Sequence, residues 1–157
     1  MSVNKATIDL IKSFEGLVLN AYPDPATKND PIKKGEPITI GYGTTIYKGI
    51  QKVKLGDKIT PEQAEIFLAY DVNTFSEGVK KLITKNLTEN QFGALVSFAY
   101  NAGLGNLKSS TLLKKVNANP NDPAIAAEFG KWVRAGGKIM NGLVRRRNAE
   151  IKLYFTK

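Results

Sequence analysis

Residues 37–45 read PITIGYGTT. Ile38, Thr39 and Ile40 favour extended backbone, and the glycines at 41 and 43 interrupt it. Glycine at alternate positions weakens a strand and marks a bulge, or a place where a backbone or a ligand comes close. Upstream, LVLNAY (17–22) alternates as a half-buried strand does. Between the two, Pro23, Pro25, Pro31 and Pro37 break a polar, basic stretch that no strand interior would tolerate. Downstream, VKLGDKIT (53–60) reads as a possible third strand. A small antiparallel β lobe is therefore predicted over about residues 16–59, with a long hairpin loop.

Both flanks carry helical signals. Ile8, Leu10, Ile11 and Phe14 fall near helical spacing, with Gly16 as C-cap, which places Glu15 in the last turn. Thr60-Pro61 supplies an N-cap and a proline at the first helical position. Ala64, Phe67, Leu68, Val72 and Phe75 then form one broad apolar face. Thr88 and Gln91 have capping-box spacing, and the helix they start is predicted to stop at Gly103. Ser109 or Ser110 caps TLLKKV, and Asp122-Pro123 starts AIAAEFGKWV, which Gly136-Gly137 is predicted to end. A last helix, GLVRRRNAEIKLYF, offers Leu143, Ile151 and Phe155 as apolar positions. The expected fold is α+β in a single 157-residue domain. It has a mainly helical lobe (about 60–157 plus the N-terminal helix), the small β lobe, and a cleft between them.

Two absences narrow the chemistry. The chain has no Cys and no His, which removes disulfides, thiolate nucleophiles, the usual zinc sites, imidazole bases and Ser-His triads. Carboxylates become the leading candidates for acid–base work. The net charge of +9 draws polyanions, whether nucleic acid, anionic lipid or the anionic polymers of a bacterial envelope, and does not choose among them. No apolar run is long enough to span a membrane. Lys5, Asp9 and Lys12 spoil the first segment as a signal-peptide core, so no export address is expected.

Glu15, at a helix C-terminus among apolar neighbours, faces a dipole and a desolvation that both disfavour its charge, as suits a general acid. It could equally be an ordinary surface residue after a frayed helix. Asp24 sits in YPDP, a rigid turn that keeps a short carboxylate at the surface; a plain turn-forming Asp is the alternative. An uncharged acid with an ionised partner is the pattern of glycosidases. Twelve other acids are present, so spacing alone does not select this pair.

FEGLVLNAYPD (14–24) followed by TIGYGTT (39–45) resembles the opening of the phage-type lysozymes, glycoside hydrolase family 24. SFAYNAG (97–103), SSTLL (109–113) and GLVRRRNAE (142–150) follow in the same order as in that family. The resemblance implies a muramidase cleaving the β-1,4 bond between N-acetylmuramic acid and N-acetylglucosamine. Glu15 would be its general acid and Asp24 the second catalytic carboxylate. Thr39 would hold the attacking water, since a hydroxyl both donates and accepts. It further implies that Gly41 and Gly43 let the sugar approach, and that Tyr100, Asn101 and Ser110 meet substrate. Against these stand core packing for Tyr100 and helix capping for Ser110. Trp132 is expected in the core, and at most one or two of Arg145, Arg146 and Arg147 can share a face.

Two departures from the family pattern stand out. Fourteen residues, 25–38, separate Asp24 from Thr39 where the family commonly has five. Many members also place His after G-Y-G, where this chain has Thr44; either that His is dispensable to the mechanism or this protein is impaired.

The chemistry so implied requires neither metal nor organic cofactor. The expected partners are peptidoglycan glycan strands and anionic envelope polymers, with no specific nucleic acid, no membrane insertion, and a monomer. Synthesis in the host cytoplasm, with release to the wall through a separate pore, would complete a phage lysis role. A lytic transglycosylase, a non-catalytic wall-binding module and a basic nucleic-acid-binding protein remain as alternatives. No finger, basic zipper or RNP-type motif supports the last.

Overall fold

A computed structural model describes residues 2–23 and 37–157. Helix α1 (Lys5–Glu15) is followed by strands β1 (Val18–Pro23), β2 (Ile38–Gly41), β3 (Ile46–Tyr47) and β4 (Gln51–Lys52). Helices α2 (Pro61–Leu82), α3 (Glu89–Ala102), α4 (Leu104–Ser109), α5 (Thr111–Ala118) and α6 (Ile125–Gly130) come next. A hairpin, β5 (Arg134–Ala135) with β6 (Lys138–Ile139), precedes α7 (Asn141–Tyr154). The architecture is α+β, mainly helical with small antiparallel pairs β1–β2, β3–β4 and β5–β6. Two units emerge: Glu15–Asp71, and Met1–Phe14 with Val72–Lys157. The division falls inside α2, so its first turns belong with the β unit, where the sequence suggested a boundary near residue 60.

In the β unit, Val18 faces Gly41 while Tyr22 faces Thr39, so four steps along β1 match two along β2. The surplus forms an irregularity whose groups turn to the other side. Ile59 N–H donates to Leu19 O (3.0 Å) and Ala21 N–H to Asp57 O (3.0 Å), with a bridge between Asn20 and Lys58. The predicted strand over 53–60 is thus corrected to a short paired piece. Gly56 at φ +95° and the Asp57 carboxylate, which accepts from Lys54 N–H at 2.9 Å, turn the chain before it can extend. The β3–β4 hairpin, absent from the sequence reading, turns at Lys48 (φ +49°) and Gly49 (φ +72°). Positive φ at both central residues suits the twist of a tight hairpin. Tyr47 anchors it, its ring 4.9 Å from Phe67 and its hydroxyl donating to Asp57 at 2.9 Å.

In the helical unit, Thr88 and Gln91 make both bonds of the predicted capping box, and Gly103 ends α3 as expected. Residues 91–99 are all buried, so α3 is the central helix. Gly93 lets α1 cross it, because a Cβ there would stand 1.8 Å from Thr7 Oγ1. Phe98, Phe129, Trp132 and Tyr154 interlock, with centroids 5.5–6.0 Å apart and edge-to-face geometry. Trp132 is half-buried in this cluster, packed edge-on against Phe98. One helix is shorter than expected. α6 stops at Gly130, and Gly136-Gly137 (φ +59° and +79°) turn the β5–β6 hairpin instead of ending a helix. The hairpin closes where Met140 N–H donates to Val133 O at 2.8 Å.

Candidate active site

Glu15 is the last residue of α1, half-buried, and Gly16 follows in the left-handed region at φ +70°. That conformation, which favours glycine, ends the helix and redirects the chain into β1. Thr39 lies buried in β2 opposite Tyr22, in the same unit as Glu15. Asp24 and loop residues 25–36 lie outside the described residues.

The glycines of GYG have a reason of their own. Ile40 and Thr44 exchange both backbone hydrogen bonds at 2.9 Å, so residues 41–43 make a tight turn. Gly41 (φ +65°) and Gly43 (φ +91°) take conformations an L side chain rarely adopts. Gly41 is buried, and a Cβ there would meet Ile59 Cδ1 at 3.3 Å and Ala64 Cβ at 3.5 Å. On the side where a Cβ would stand, what comes close to Gly41 is the protein's own Ile59 and Ala64, a reason for the glycine that is separate from the expected approach of a sugar.

The turn also delivers Thr44, 1% exposed, whose hydroxyl donates to Asp71 Oδ2 at 2.7 Å. Burial pushes the Asp71 carboxyl up to about 6, and the Thr44 hydrogen bond opposes that rise. Asp71 drew no notice in the sequence, because nothing local links it to a turn 27 residues earlier.

Tyr100, Asn101 and Ser110 belong to the helical unit. Tyr100 is half-buried with its ring 5.2 Å from Phe75. Asn101 is exposed at the end of α3 and accepts a hydrogen bond through Oδ1 from Arg147 Nη2. Ser110 is buried and caps α5: its Oγ accepts from Leu113 N–H (3.0 Å) and donates to Leu107 O (2.6 Å).

Helix α7 buries a polar stripe beside Leu153 and Tyr154, while of the expected apolar positions Leu143 and Ile151 are half-buried and Phe155 is 41% exposed. Arg146, Arg147 and Glu150 line that stripe, while Arg145 is exposed. Glu150, fully buried, takes Ser97 Oγ–H at 2.6 Å and Arg146 Nε at 3.4 Å on one oxygen, and Arg147 Nη1 on the other. Burial raises its pKa, and the charges of Arg147 and Arg146 with the Ser97 bond pull it back down. Arg146 also lies 5.9 Å over the ring of Phe14. The three- and four-residue spacing of Arg147 and Arg146 from Glu150 was the available signal, since such positions meet on a helix. Among the described residues no three acidic side chains gather as a metal site requires, and no helix is long and apolar enough to cross a membrane.

The sequence matches the phage lysozyme family over residues 12–150. An endolysin of Bacillus phage B103 is 49% identical over 156 residues, 99% of this chain and 55% of that protein. The chain thus spans about half the length of the first curated relatives it matches. An endolysin from Escherichia coli O157:H7 phage FAHEc1 superposes with a TM-score of 0.84 at 40% identity, covering 99% of this chain and 94% of that one. The muramidase domain of SpmX from Asticaccaulis excentricus superposes at 0.80 with 31% identity, covering 99% of each.

Proposed function

Since this chain belongs to the phage lysozyme family, we propose that it is a muramidase, hydrolysing the β-1,4 bond between N-acetylmuramic acid and N-acetylglucosamine in peptidoglycan and lysing the host cell at phage release. The observation that carries this reading is the family match itself, which spans Glu15, Asp24 and Thr39 in their motif order. Glu15 gives its proton to the glycosidic oxygen as the bond to the anomeric carbon breaks. Asp24 takes a proton from water as that water attacks the opposite face, and the Thr39 hydroxyl orients the water. Attack from the opposite face inverts the anomeric centre. The left-handed stop at Gly16 supports Glu15 in this role, because it fixes the carboxyl at the end of a rigid helix.

Tyr100 and Asn101 contact the glycan, the ring packing on a sugar face. Ser110 is assigned to helix capping, since its hydroxyl already donates and accepts within the protein. Gly41 and Gly43 act through the turn they permit. The protein works as a single lysozyme-like domain, made in the host cytoplasm and passed to the wall through a pore that another protein supplies.

The deciding experiment is mass spectrometry of soluble fragments from purified peptidoglycan, with wild type and Glu15→Gln in parallel. Reducing N-acetylmuramic acid ends that the variant fails to produce are expected. Anhydro ends would make the protein a transglycosylase, and a folded wild type that binds wall without releasing fragments would make it a binding module.

A further inference from the structure

The buried guanidinium of Arg147 makes a hydrogen bond through each of its three nitrogens. Its Nε donates to Trp132 O at 2.9 Å, Nη1 to Glu150 and Nη2 to Asn101 Oδ1, and its Cζ lies 4.8 Å from the ring centroid of Phe98. Arg147 is 1% exposed and Glu150 fully buried, so their ion pair is shielded from water. A guanidinium only donates, so the amide oxygen of Asn101 must face it and Nδ2 must point away. Asn101 is exposed, and among the described residues its Nδ2 makes no hydrogen bond. The result is a neutral N–H donor at the surface whose orientation is set from inside the protein.

We propose that Arg147 is a positioning residue for glycan recognition: by holding Asn101 Oδ1, it presents Nδ2 as a donor to the carbonyl oxygen of an N-acetyl group on the bound strand. This rests on the muramidase reading above. A donor-only NH2 selects for acceptors. The sugar hydroxyls both accept and donate and discriminate poorly, whereas the acetamido carbonyl accepts only and recurs on every sugar of the strand. The second layer, Glu150 held by Ser97 and Arg146, keeps the guanidinium in place as outer partners keep a first-contact group oriented.

The test compares kcat/KM on native glycan strands and on strands chemically N-deacetylated, with re-N-acetylated strands as the control for strand damage. Asn101→Ala, a surface change, should reduce the wild-type preference for acetylated glycan by about fivefold to tenfold, mainly through KM. Arg147→Lys keeps a charge for Glu150 but cannot bond Trp132 O, Glu150 and Asn101 together, so the same preference should fall about threefold. A purely structural arginine would lower activity on both strands equally and leave the ratio alone. An unchanged ratio in Asn101→Ala, with wild type turning over normally, overturns the proposal. So does a ratio that falls in Asn101→Ala but stays at the wild-type value in folded Arg147→Lys. Wild type that cleaves neither strand would instead overturn the muramidase reading.

Discussion

Replacing Asp71 with Asn removes a charge that the fold holds in a half-buried place while keeping an oxygen for the Thr44 hydroxyl to bond. The folded carboxyl titrates at about 6 because of burial, against an ordinary value of 3.8. Between those values the folded state binds more protons than the unfolded state, so the Asp71 contribution is fully present below about pH 4 and is lost as pH rises through about 6. The full gap of about two pH units would correspond to ~3 kcal/mol at about 1.4 kcal/mol per unit. Solvent reaches part of the carboxyl, so about half of that, ~1–2 kcal/mol, is the working figure. Urea unfolding at constant ionic strength, from about pH 4 to about pH 8, reads it directly. Near pH 4 wild type and Asp71→Asn should coincide. Near pH 7 the variant should be the more stable by ~1–2 kcal/mol, about 2–4 °C in Tm for each kcal/mol. Thr44→Val, which removes the opposing hydrogen bond, should carry the wild-type slope to higher pH. A stability difference that is constant with pH, or that favours wild type at neutral pH, would show that the carboxylate is well paired and would refute the argument.

Other perturbations test separate parts of the fold and site. Asp24→Asn should cut turnover on peptidoglycan severely with little change in urea midpoint; mild loss would reduce Asp24 to a turn residue. Gly41→Ala combines φ +65° with a contact at 3.3 Å to Ile59 and should cost ~1–3 kcal/mol in chemical denaturation. Thr88→Ala removes the side-chain half of the α3 capping box, the bond accepted from Gln91 N–H, and should cost about 1 kcal/mol by the same measurement. Glu150→Gln leaves Arg146 and Arg147 buried with less counter-charge and should lower stability by ~3–5 kcal/mol.

The helix ends were legible because their causes are local. Thr88 and Gln91 sit three residues apart, and a box at that spacing closes within one turn whatever the rest of the chain does. The same holds for the Thr60 cap, which accepts from Gln63 N–H at 3.1 Å, and for Gly16 and Gly103. Gly136-Gly137 was misread because left-handed backbone serves a helix end and a hairpin turn alike. The difference lies in which residues meet across the turn, here Val133 with Met140. In α7 the apolar residues were a poor guide. Buried arginines satisfied by Glu150, Ser97, Asn101 and Trp132 are as suited to an interior face as leucines, and their partners lie on other elements.

By itself the sequence determined the secondary-structure class, the caps, the exclusion of imidazole and thiol chemistry, and the order of the motifs. These rest on residue identity and on spacings shorter than about two helical turns. Only the tertiary structure decided that Gly41 is kept by Ile59 and Ala64, that Thr44 answers Asp71, and that Arg147 orients Asn101. Each of those pairs is brought together by packing across a sequence separation that no local periodicity encodes, and burial then gives their hydrogen bonds and charges weight that solvent would otherwise screen.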